Sequence, residues 1–84
     1  MSRFSKETYC AMFDALLSEE LYFSSSFASE TNIKRAMKKV LGTAIKHELI
    51  KRYSSMVLDE ELNVHFVIID PDGDEFSLTL YYGR

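Results

Sequence analysis

With 84 residues and a formal net charge of −3, the chain is long enough for one domain and too short for two. Its 46% hydrophobic content, with six Phe and five Tyr, excludes an intrinsically disordered chain. No apolar run approaches the roughly 18 residues of a membrane span, so no membrane partner is expected, and the lone Cys10 excludes an internal disulfide or a cysteine-built metal site.

The first residues, Met1-Ser2-Arg3-Phe4-Ser5-Lys6-Glu7, reach polar helix formers at once, unlike a signal peptide. With a single thiol, this points to a cytoplasmic location. A first helix is expected over about residues 6–22. Ser5 is placed to cap it, since its hydroxyl can accept from an orphan amide of the first turn. Tyr9, Met12, Phe13, Leu16, Leu17 and Leu21 recur every three or four residues and form one apolar face. Ser24-Ser25-Ser26 interrupts the pattern as a turn, with Phe27 folding back onto the core.

A second helical stretch is expected over about residues 31–53, capped by Ser29 or Thr31. Ile33, Ala36, Met37, Val40, Leu41, Ala44 and Ile45 form its apolar stripe, and Lys34, Arg35, Lys38, Lys39 and Lys46 lie largely opposite. Gly42 either bends one long helix or separates two, since a mid-helix Gly costs about 1 kcal/mol against Ala.

The C-terminal third, about residues 55–82, reads as β. Val64 to Ile69 is apolar on both faces, as in a central strand. Phe76, Leu78, Leu80 and Tyr82 alternate with Ser77, Thr79 and Tyr81, as in a strand with one face on the core. Between them, Asp70-Pro71-Asp72-Gly73 is a hairpin turn in which Pro presets φ and Gly supplies the φ > 0 position. Met56 to Leu58 adds a third short strand, turning at Asp59-Glu60-Glu61. The fold class is therefore α+β: two, or with a break at Gly42 three, N-terminal helices packed on one face of a C-terminal antiparallel hairpin or three-stranded sheet.

Charge is sorted by segment. Residues 33–52 carry seven basic side chains against Glu48 alone, whereas residues 54–83 carry seven acids and no Lys or Arg. Such a pattern bears on partners rather than on fold. Asp70, Asp72, Asp74 and Glu75 do not make an EF-hand, because Gly73 falls two positions early and the twelfth position is Tyr81. His47 and His65 have no ligand at helical spacing. No phosphate loop and no nucleophile–base frame is legible, so neither catalysis nor a cofactor or metal is expected.

Two surfaces compete for function. The basic face Lys34, Arg35, Lys38, Lys39 and Lys46 has the residue types of a phosphate-binding helix. A break at Gly42 would give the element order of a winged helix-turn-helix. Lys38, Glu48 and Lys51 then stand where that motif wants small or buried residues, and the would-be wing is acidic. The acidic end, Asp70, Asp72, Asp74 and Glu75 with Tyr81 as an aromatic anchor, suits a protein partner with a basic surface. The leading expectation is a non-catalytic protein-binding module, with nucleic-acid binding or transcriptional regulation through residues 33–52 as the alternative. A homodimer is compatible with either. In size, acidity and lack of catalytic motif, the chain looks like the small inhibitors that phages and mobile elements direct at nucleic-acid-handling host defences, anti-CRISPR proteins among them.

Overall fold

The computed structural model describes residues 4–23 and 29–81. Ser5 opens helix α1, Lys6–Phe23. Its Oγ accepts from the Thr8 amide at 3.2 Å. Tyr9, Phe13, Leu17 and Leu21, spaced by four, are the residues α1 buries. Ser29 opens α2, Glu30–Lys46, and accepts from the Asn32 amide at 3.2 Å. The expected stripe from Ile33 to Ala44 is buried, whereas Ile45 lies on the exposed side. The expectations for Ser24-Ser25-Ser26, Phe27 and Tyr82 lie outside the described residues.

Gly42 sits inside α2 on its exposed side, and a Cβ there would meet nothing within 4 Å. The third helix is not seen among the described residues, so the helix-turn-helix order is not formed. Nor does α2 reach residue 53. It stops at Lys46, where the Leu49 amide reaches back to the Ala44 carbonyl at 2.9 Å and the Glu48 amide to Ile45 at 3.0 Å. These two bonds make a Schellman cap. Its left-handed position is held by Glu48 at φ 61° rather than by a glycine.

The chain then turns directly into an antiparallel sheet of order β1-β2-β3: β1 Arg52–Leu58, β2 Val64–Ile69 and β3 Glu75–Leu80. The sheet starts at Arg52, earlier than residue 55, because Arg52, Tyr53 and Ser54 pair with Ile69, Ile68 and Val67. A bulge follows between Ser54 and Val57, with Ser55 at φ 54°. It changes the parity of β1. Arg52 and Ser54 before the bulge, and Val57 after it, lie opposite β2 residues of one face.

Strand alternation separates an inner from an outer face. Val64, Phe66, Ile68, Leu78 and Leu80 are buried in one cluster with the helix stripes, and Phe76 is half-buried against it. The Tyr9 ring lies 5.2 Å from that of Phe76, and Phe13 meets Phe66 edge-on at 5.5 Å. No helix among the described residues is long and apolar enough to cross a membrane.

Candidate protein-docking surface

The outer face of the sheet is built from the residues left over by that alternation. Register sets Arg52, Ile69 and Glu75 in one row, Ser54, Val67 and Ser77 in the next, and Val57, His65 and Thr79 in a third. Val67 and Ile69 are half-buried. Val57 is 57% exposed, whereas Tyr81, past the end of β3 and 60% exposed, lines a recess with Cys10, Ala11 and Asp14 of α1. A central strand that is apolar on both faces thus leaves one apolar row facing outward. That row was missed as a site, although the run Val64 to Ile69, broken only by His65, was its signal.

Acidic turns bound this face at both ends. The β1–β2 turn carries Asp59, Glu60 and Glu61 before Val64, and the β2–β3 turn carries Asp72 and Asp74, with Glu75 opening β3 beside it. Six residues of strand separate them by about 20 Å, so the acidic residues do not gather at one end. Among the expected acids Asp70 is not on the surface. It is fully buried, and its Oδ1 accepts from the amides of Asp72 at 3.0 Å and Asp74 at 2.9 Å. It organises the turn that displays Asp72, Asp74 and Glu75, all exposed. Lys51 and Arg52 lie at this same end, because the Lys51 amide donates to Ile69 at 2.7 Å. Charges that are segregated in sequence are therefore interleaved here.

His65 stands at the centre of a polar relay. Its Nε2 is 2.9 Å from Asp59 Oδ2, and its Nδ1 is 3.0 Å from Thr79 Oγ1. The His65 contact, and after it the Asn63 amide, lower the Asp59 carboxyl from 3.8 to about 2. An ionised carboxylate only accepts, so Nε2 carries the proton, and in the neutral ring Nδ1 accepts from the Thr79 hydroxyl. The chemical order matches that of a nucleophile relay. What it visibly does is tie the β1–β2 turn to β3 across the half-exposed outer face. Only the strand register brings these three residues together, and no local spacing announces it.

The basic residues Lys34, Arg35, Lys38, Lys39 and Lys46 all lie on α2. Two of them are paired within the molecule: Lys34 with Glu30 at 3.2 Å and Lys39 with Glu20 at 3.3 Å. Such exposed pairs contribute about 0–1 kcal/mol. Arg35, Lys38 and Lys46 form no ion pair among the described residues. Among the same residues, no cluster of three or more His, Cys, Asp or Glu could hold a metal ion. No protein-family model, curated protein or solved structure matches the chain.

Proposed function

We propose that this domain is a non-catalytic protein-binding module that docks through the outer face of its sheet on a partner with a basic surface. In this reading both helices cover the inner face and leave the outer one open. The observation that carries it is the pattern on that face. Val57, Val67 and Ile69 supply apolar contact, and exposed acids stand at both ends of the strands. An apolar centre with a charged rim is the usual anatomy of a recognition surface. The acidic rim would steer a basic partner in and discriminate against acidic ones. Basic surfaces of that extent are found on proteins that handle nucleic acid. A narrower form of the proposal is therefore an inhibitor, of phage or mobile-element type, that occupies such a surface on a host protein. On α2 two of the five basic residues are already matched by Glu20 and Glu30, which favours the sheet over the helix.

The test compares the wild type with Asp72→Lys/Asp74→Lys/Glu75→Lys and with Val67→Asp as baits in nuclease-treated extract. A partner retained by the wild type and lost from both variants supports the proposal. Tight binding of duplex DNA or single-stranded RNA at physiological salt, abolished by Lys34→Glu/Lys38→Glu/Lys39→Glu, would replace it with the nucleic-acid reading.

A further inference from the structure

The free edge of β1 is written as its own complement. Two cations, Lys51 and Arg52, stand at its start, and three acids, Asp59, Glu60 and Glu61, follow its end. Tyr53 to Leu58 between them carries no charge. β1 is an outer strand of the sheet, so one side of its backbone is unpaired within the described sheet.

We propose that this edge pairs with the same edge of a second copy, antiparallel, to give a two-fold dimer with one continuous six-stranded sheet. A two-fold between Ser55 and Met56 sets Arg52 opposite Asp59 of the second copy and Lys51 opposite Glu60. It also sets Tyr53 opposite Leu58, and Ser54 opposite Val57. The faces match in the pairs Arg52–Asp59, Tyr53–Leu58 and Ser54–Val57, and Lys51 and Glu60 meet just beyond the strand ends. Arg52, Ser54 and Val57 lie on the outer side, where Asp59 reaches His65, whereas Tyr53 and Leu58 are half-buried against the core. This matching depends on the bulge. In a regular strand residues 52 and 59 point to opposite faces, and the extra residue between Ser54 and Val57 brings them to the same one.

A bulge and terminal charges ordinarily protect an edge from unwanted partners. Here they exclude a regular, parallel or uncharged strand while admitting an identical one in a single register. A symmetric interface needs such self-complementarity. The dimer also brings the two outer faces side by side, which would double the surface open to a protein partner. The proposal does not rest on that docking role and stands or falls by itself.

The experiment is sedimentation equilibrium on the full chain across a micromolar concentration series, with circular dichroism to confirm folding of each variant. The wild type should show a monomer–dimer equilibrium that weakens with salt. Lys51→Glu and Glu60→Lys should each weaken it by about tenfold or more, since like charges then meet at both ends of the interface. The double variant Lys51→Glu/Glu60→Lys restores opposite charges and should recover most of the affinity. Amide exchange at residues 53–58 should slow as concentration rises. A wild type that is monomeric throughout, a dimer indifferent to both single reversals, or a double variant no better than the singles would each overturn the proposal.

Discussion

The two turns of the sheet share one backbone design and face opposite environments. In the β1–β2 turn, Asp59 Oδ1 accepts from the amides of Glu61 at 2.9 Å and Asn63 at 3.0 Å. In the β2–β3 turn, Asp70 Oδ1 accepts from Asp72 and Asp74 at the same offsets, at 3.0 and 2.9 Å. The main-chain bonds also correspond: Leu62 to Asp59 and Gly73 to Asp70, then Asp59 to Asn63 and Asp70 to Asp74. Leu62 at φ 64° occupies the place of Gly73 at φ 91°. Yet Asp59 is exposed and meets His65, whereas Asp70 is fully buried with Oδ2 lacking a hydrogen-bond partner among the described residues. Strand parity decides this. Asp59 follows the inward Leu58 and emerges on the outer face, and Asp70 follows the outward Ile69 and turns inward. Local sequence writes the turn, and the register of the strand before it chooses the solvent.

The sharpest way to break this comparison is to remove each carboxylate in turn. Asp70→Ala takes the shared acceptor from two amides at a buried site and should cost about 2–3 kcal/mol in urea unfolding. Asp70→Asn keeps one acceptor oxygen and should recover part of that loss. Asp59→Ala should cost less than Asp70→Ala, because water can replace the carboxylate on the half-exposed outer face. An equal or larger loss at Asp59 would mean that parity does not govern the two turns.

The left-handed positions sharpen it further. Gly73→Val places a β-branched residue at φ 91° with nothing within 4 Å of its Cβ, so the cost is purely one of backbone conformation, about 1–2 kcal/mol. Leu62→Gly relieves the same strain in the other turn. It also removes a half-buried side chain packed against the core, so the net change should stay within about 0.5 kcal/mol. Glu48→Gly is the cleaner relief, because the Glu48 side chain is exposed. It should stabilise the domain by up to about 1 kcal/mol, read as a rise in unfolding midpoint.

These same positions mark where the sequence is legible. Ser5 and Asp70-Pro71-Asp72-Gly73 carry conventional cap and turn residues and were read correctly, and of the two caps open for α2, Ser29 and Thr31, the structure uses Ser29. The end of α2 was not, because Glu48 does the work of a glycine and the apolar residues Leu49 and Ile50 continue past it. The second turn was seen as Asp59-Glu60-Glu61 and not as its full five-residue form, because Leu62 gives no φ > 0 signal. Among the candidate site residues, the exposure of Asp72, Asp74, Glu75 and Tyr81 follows from turn and strand-end position. The burial of Asp70 and the meeting of Asp59, His65 and Thr79 do not, since both depend on non-local register.

The smallest expected effect lies in acid. The Asp59 carboxyl is held at about 2 in the folded chain, against 3.8 ordinarily, chiefly by His65. A depressed carboxyl contributes stability above its unfolded value and loses it as pH falls through the folded one. The contribution of Asp59 should therefore be complete above about pH 4 and fade toward pH 2. Solvent around the half-exposed group keeps the effect modest. Urea midpoints across this window should fall faster for the wild type than for Asp59→Asn, which has no carboxyl to protonate. His65→Gln should shallow the wild-type slope in the same direction, because it removes the largest cause of the shift. Parallel slopes in all three proteins would show that the His65 contact does not hold the β1–β2 turn in solution, and the two turns would then differ in burial alone.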